Sequence, residues 1–289
     1  MRRGPLRSVG RQRGVALLLV LWACTLLAIL LGGYAAMART EGLLARYEFA
    51  QTQAHYAAEA GLMRAVYGLQ TPQPGQRWIA DGRNYTFYYD SATVSVRAID
   101  EGGKVDLNTA SAEVLAGLFQ AAGLKPQAAG QLAQRVVDWR SPAGFEGDAA
   151  GQRTAYLADG REYGPRNGPF ASVEELQMVL GMTPALYRQV APVITIWAGG
   201  SSPNPNTAPP LALAAIPGMT PEGIAEIQAA RRKNADDPRL VLDSGTTHSI
   251  RSEAVLADGT RAVLRATIRM QVGQAQPYVV LRWREGEAE

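Results

Sequence analysis

No position from Val15 to Ala38 is charged, a run longer than the roughly 20 apolar residues that cross a bilayer as a helix. Polar residues then enter at intervals. From Glu48 to Ala60 there is neither Gly nor Pro, and Phe49, Tyr56, Met63 and Tyr67 recur near helical spacing. The pattern predicts that the same helix continues as an amphipathic one, with that stripe as its packing face. Thr71-Pro72-Gln73-Pro74-Gly75 ends it. "RWIA", "NYTFYYD" and "TVSVRAID" then alternate and are rich in Tyr, Thr and Val, which predicts strands joined by turns such as Asp81-Gly82. Strand patterning returns in "HSIRSEAVLA", "RAVLRATIRMQV" and "PYVVLRWRE", with Asp258-Gly259 as a hairpin turn. About half the chain, helical in pattern, lies between the two sets. The fold class expected is α+β: a long N-terminal helix on one antiparallel sheet, with an all-α domain inserted into the sheet.

The insertion contains a repeat. Gly123-Leu124-Lys125-Pro126, Gly181-Met182-Thr183-Pro184 and Gly218-Met219-Thr220-Pro221 share the form Gly, apolar, polar, Pro. That form suits a helix-to-helix hairpin, with Gly at a left-handed C′ position and Pro opening the next helix. Helix-start signals precede each: Asn108-Thr109, a capping box of Ser172 with Glu175, and Asn206-Thr207. Gly199-Gly200-Ser201-Ser202-Pro203 reads as a linker between two helical units. The boundaries expected are 1–14 leader, 15–38 membrane helix, 39–100 helix and first strands, 101–200 first helical unit, 201–245 second unit and 246–289 closing strands.

Charge changes the picture at the N-terminus. Arg2, Arg3, Arg7, Arg11 and Arg13 precede the apolar run, so the positive-inside bias holds the N-terminus in the cytoplasm and everything after Ala38 outside it. The formal charge of the chain is +3 and the sequence pI about 9.1, but those five arginines leave −2 for the rest. The exported part is not basic, which argues against a general nucleic-acid binder. Cys24, the single cysteine, sits in the apolar run, so no intramolecular disulfide forms. The run itself has three readings: a signal peptide cut at Ala36-Met37-Ala38, a permanent anchor, or a prepilin-type segment cut between Gly14 and Val15. Its length argues against the first.

Candidate chemistry is sparse. His55 and His248 lack metal-ligand spacing such as H-E-x-x-H, and there is no G-x-S-x-G elbow or phosphate loop; no enzymatic activity is expected. Asp138, Glu146 and Asp148 cluster in a Gly-rich stretch and could offer hard oxygen ligands to calcium, the one cofactor considered. "DLNTASAEVLAGLFQAAGL" and "PNPNTAPPLALAAIPGM" look like helix-hairpin-helix or SAM-like units, including those of DNA-uptake receptors. Such hairpins grip phosphate through paired glycines, but Lys125, Thr183 and Thr220 replace the second glycine. A membrane-anchored DNA-binding protein is therefore the alternative function.

Taken in order, the Gly14-Val15 junction, "AAEAG", "DLNTA", "VVDWR", "NGPFASVEEL" with "LGM", and "NPNTA" with "IPGM" resemble the type II secretion system protein K family of minor pseudopilins. The resemblance runs over nearly the whole chain. It implies a pilin-like helix and sheet interrupted by an α domain, cleavage by prepilin peptidase after Gly14 and N-methylation of Val15. It also implies a single-pass protein of the Gram-negative inner membrane with a periplasmic C-terminal domain. There it would meet minor pseudopilins I and J, further pseudopilins and the inner-membrane assembly platform, at the tip of a periplasmic pseudopilus that exports folded proteins. Most pilins carry Glu at the fifth mature position, where its carboxylate can pair with the amine of the subunit above; here Leu19 occupies it. An unpaired charge in hydrocarbon costs about 2.5 to 3.5 kcal/mol, so an apolar residue suits a subunit with nothing above it. The family also implies calcium, although Ser141 and Gln152 stand where further carboxylates would be expected.

Overall fold

In a computed structural model of the chain, residues 13–73, 76–142, 149–233, 245–271 and 276–286 are described. They divide into two compact units, residues 1–53 and 54–289. Helix α1 (Arg13–Gln70) supplies all the described residues of the first unit and opens the second.

In the second unit a five-stranded antiparallel sheet runs in the order β1 (Asp81–Tyr89), β2 (Ala92–Asp100), β5 (Thr247–Leu256), β6 (Arg261–Met270) and β7 (Tyr278–Glu285). On β2 the burial alternates throughout, and on β5 it alternates from His248 onward. Val94, Val96, Ala98, Ile250, Ser252 and Ala254 point inward, as the period of two requires. Ala54, Ala57, Ala58, Leu62, Ala65, Val66 and Leu69 form the buried face of α1 in this unit. This corrects the expected packing face: Tyr56 and Tyr67 are 62% and 75% exposed, Phe49 is exposed, and Met63 is partly so. Small residues win because the helix lies very close to the sheet. A Cβ on Gly61 would stand 2.2 Å from Ser252 Oγ and 2.7 Å from Val94 Cγ1.

The first strands also differ from expectation. "RWIA" is not a strand; Trp78 stacks on Tyr85 at 4.0 Å between ring centroids, and its N–H donates to Gly68 O. Asp81-Gly82 opens β1 rather than turning the chain. The tight turn lies at Asp90, whose φ of 50° is tolerated by the short Asp side chain. Asp258-Gly259 does turn the β5–β6 hairpin, with Gly259 at φ +88° and Leu256 N donating to Thr260 O.

Everything from 101 to 246 is inserted between the neighbouring strands β2 and β5. Its described residues form a 3-10 turn (Glu101–Gly103), β3 (Val105–Asp106), α2 (Ala112–Ala121), α3 (Pro126–Arg140), α4 (Ala149–Ala158), a 3-10 helix (Val173–Met178), α5 (Pro184–Val190), a 3-10 turn (Ala191–Val193), β4 (Ile194–Thr195), α6 (Pro210–Leu213) and α7 (Pro221–Lys233). The two-residue strands β3 and β4 pair in parallel, a feature too short to leave a periodic signal. One buried cluster extends from Val105 through Phe119, Trp139 and Leu176 to Leu213 and Ala215. Residues of the expected second helical unit thus share a core with the first. Gly117 permits this, since a Cβ there would meet Ala215 O at 2.5 Å.

Candidate functional site

The first unit has a plain character. α1 is long and apolar enough to cross a membrane, and Val15, Leu19 and Trp22 are exposed along it. Position 14 lies within the helix. Leu19, 64% exposed, offers only hydrocarbon.

In the second unit the insertion is locked to the sheet by buried acids. Asp100, the last residue of β2, is opposite His248 on β5, so it stands at the mouth of the insertion. Its Oδ1 accepts the Gly102 N–H at 2.9 Å, and its Oδ2 accepts the Thr207 hydroxyl and the Gly245 N–H, both at 2.9 Å. One carboxylate therefore ties the chain leaving the sheet, the "NPNTA" turn and the chain returning. Glu101, also buried, accepts from Lys104 Nζ at 2.6 Å and from the Thr195 hydroxyl. Asp106 takes Asn108 N–H at 2.8 Å and Gly199 N–H at 2.7 Å. Burial pushes the pKa of the His248 imidazole down, opposed by the Asp100 carboxylate.

The quoted motifs meet in one framework. Asn108 of "DLNTA" and Phe170 of "NGPF" exchange hydrogen bonds, Phe170 N–H to Asn108 Oδ1 at 2.7 Å and Asn108 Nδ2 to Phe170 O at 3.2 Å. Arg140 of "VVDWR" donates to Leu107 O at 2.7 Å and Ala110 O at 2.6 Å. Trp139 packs among Tyr156, Tyr163 and Phe170 and donates its indole N–H to Glu175 Oε1 at 3.2 Å. Burial disfavours the Glu175 charge, but the Ala171 N–H, Arg166 and Trp139 outweigh it and hold the carboxyl below the usual range.

These partnerships correct the expected helix caps. Ser111, not Asn108-Thr109, caps α2 through its hydroxyl and Val114 N–H. Ser172 makes no cap bond to the backbone, and Glu175 reaches Ala171 N–H in place of the Ser172 N–H that a capping box would use. Thr207 is committed to Asp100, and α6 starts at Pro210. The first arm of the second hairpin is a 3-10 helix rather than an α-helix. The hairpin turns themselves follow expectation, with Gly123, Gly181 and Gly218 at φ +100°, +91° and +78° and Pro126, Pro184 and Pro221 opening the next helices.

Among the described residues, no three His, Cys, Asp or Glu side chains group as a metal site. Asp138, on α3, accepts one hydrogen bond from Gln134 Nε2 at 2.9 Å. Glu146 and Asp148 lie outside the described residues. A single carboxylate does not make a six- to eight-oxygen calcium site, so the calcium expectation rests on residues the structure does not describe.

The family described as "Type II secretion system (T2SS), protein K" matches residues 94–199, from mid-β2 through the Asp100 lock, the Trp139 cluster and β4. Over that stretch the chain is similar to the type II secretion system protein K family. Type II secretion system protein K of Klebsiella pneumoniae is 28% identical over 253 residues, covering 76% of this chain and 73% of that protein. A chain in the crystal structure of the GspK-GspI-GspJ complex from the enterotoxigenic Escherichia coli type 2 secretion system aligns at a TM-score of 0.53 and 17% identity. It covers 87% of this chain and 99% of that one. The likeness at that identity concerns the fold, and it extends to the sheet outside the stretch that the family matches. The motif residues prove to be structural: they hold the inserted domain together and lock it to the sheet.

Proposed function

We propose that this chain is a non-enzymatic minor pseudopilin that forms the tip complex of a periplasmic type II secretion pseudopilus with minor pseudopilins I and J, and initiates or caps the filament. The observation that carries this reading is the sheet packed on α1 residues 54–70 and interrupted by an α insertion of about half the chain. That bulk, locked at Asp100, opposes the stacking of a further subunit above it. The structural neighbour supports the reading, since it is a complex of GspK with GspI and GspJ. The anchor then places the chain in the inner membrane with its second unit in the periplasm. Prepilin peptidase is the processing partner, acting between Gly14 and Val15 with N-methylation of Val15, and the assembly platform then feeds the processed chain into the filament. Leu19 suits a position with no neighbour's amine to neutralise.

Co-expression with I and J tests the reading. A ternary complex that survives size-exclusion chromatography is expected; a chain that elutes alone while I and J associate with each other would refute it.

A further inference from the structure

The two edge strands of the sheet, β1 and β7, differ in character. β7 carries Arg282, Arg284 and Glu285, and its pairing with β6 shifts register between Thr267 and Ile268. Charges and bulges of this kind discourage pairing with another chain. β1 has neither from Asn84 to Tyr89: the segment reads "NYTFYY", without charge or Pro, and its register with β2 is unbroken.

The backbone on the outer side of this segment is unpaired. Asp100 N–H donates to Ala80 O, so it points to the β1 side of β2. Residues opposite each other in an antiparallel pair alternate between bonded and non-bonded. Val96, Val94 and Ala92 therefore bond to β1, and their partners Tyr85, Phe87 and Tyr89 turn their backbone groups inward. The N–H and C=O groups of Asn84, Thr86 and Tyr88 face outward. They bond no described residue, and all three residues are exposed, Tyr88 to 84%.

We infer that the β1 edge is a docking site for an extended, uncharged segment of a second protein, which adds to the sheet as a further strand. Outward donors and acceptors recurring about every 7 Å match the two-residue period of a strand, whereas a helix keeps its backbone groups for itself. Side chains specify the segment further. Tyr85, Phe87 and Tyr89 lie opposite the buried Val96, Val94 and Ala92 and so share the α1 face, where Arg64 sits 4.4 Å from the Phe87 ring centroid. β-branched residues pair well beside such aromatics. On the other face, Asn84, Thr86 and Tyr88 suit Thr or Ser. On the anchored reading proposed above, copies in one membrane hold α1 in the same sense. Antiparallel pairing of β1 with β1, about an axis normal to the sheet, would reverse residues 54–70 in one copy, so the occupant is a different protein.

The test uses the full chain in detergent and a fluorescent peptide of about eight alternating Thr and Val residues, N-methylated at every second residue so that one edge alone can pair. Anisotropy should report binding, retained at about 1 M salt because the contact is uncharged. The peptide methylated at every residue should not bind. Thr86→Pro removes an outward N–H and leaves the bonds to β2 in place, as Pro on an edge strand can. It should bind at least about tenfold more weakly, with an unchanged melting temperature. Tyr88→Lys sets a charge on the edge; it should also weaken binding, and it serves if Thr86→Pro is unstable. No binding at millimolar peptide, equal binding of the fully methylated peptide, or undiminished binding by folded variants would overturn the inference. So would a dimer of the full chain that Thr86→Pro dissolves, since a second copy would then be the occupant. The assay contains neither I nor J, so its failure is distinct from loss of the ternary complex.

Discussion

Asp100→Ala tests whether the insertion is held by one carboxylate. Asp100 is 1% exposed, and its removal leaves three donors without their acceptor: Gly102 N–H, the Thr207 hydroxyl and Gly245 N–H, each at 2.9 Å in the native structure. A buried donor left unsatisfied costs about 1–3 kcal/mol. Rotation of the Thr207 hydroxyl relieves part of that, so the total expected is about 3–5 kcal/mol. This is a large share of the roughly 5–15 kcal/mol that holds a folded domain. Asp100→Asn keeps one acceptor oxygen. With that oxygen serving Thr207 and Gly245, its NH₂ opposes the Gly102 N–H, and about 1–2 kcal/mol should be lost. Urea denaturation of the detergent-solubilised chain followed by tryptophan fluorescence gives the stability. Limited trypsin digestion gives the location, since cleavage should accelerate within residues 101–245 before it does in the sheet. A loss below about 1 kcal/mol for Asp100→Ala, or equal losses for Ala and Asn, would refute the lock.

Further outcomes follow from the same structure. Gly61→Val should destabilise the packing of α1 on the sheet by about 1–3 kcal/mol through overpacking against Val94 and Ser252, as read by urea midpoint; an unchanged midpoint would mean the close approach relaxes freely. The folded pKa of His248 lies below its unfolded value near 6.5. The unfolded chain therefore binds the extra proton, and His248 destabilises the fold progressively as pH falls below about 6.5. A His248→Gln variant should lose less stability than the native chain between about pH 7 and pH 5, whereas parallel profiles would refute the burial argument. Glu174, Glu175 and Glu253, whose pKa values are lowered by arginine and hydrogen-bond partners that outweigh burial, contribute stability that is lost only at lower pH, through and below about 4.5. Leu19→Glu should still insert but impair secretion and tip placement, and unchanged secretion with unchanged I and J association would count against the role of Leu19.

Periodicity and turn chemistry made much of this fold legible. The 24 residues from Val15 to Ala38 are charge-free, the strands β2, β5 and β6 alternate, and Gly123, Gly181 and Gly218 take the positive φ their Gly-to-Pro spacing required. Packing partners were not legible. Helical spacing suggested that Tyr56 and Tyr67 would pack, but the sheet lies so close at Gly61 that the buried face is built of alanines, Val66 and two leucines. Asn108, Thr207 and Glu175 looked like local caps because Asn, Thr and Glu suit caps. Asn108 and Thr207 instead bond Phe170 and Asp100, 62 and 107 residues away, and Glu175 adds to its local Ala171 N–H a bond from Trp139, 36 residues away; a local rule cannot anticipate such distant contacts. Cross-strand alignment was likewise hidden: Arg97, Arg251, Arg265 and Arg284 lie on four different strands, and only the register sets them opposite one another.

The central claim, that this chain is processed and assembled as a pseudopilin, is tested most directly by the intact mass and N-terminal sequence of the protein from cells that contain prepilin peptidase. The account predicts a chain that begins at Val15 with an N-methyl group. A chain that retains Gly14, or one that begins at Arg39, would contradict it.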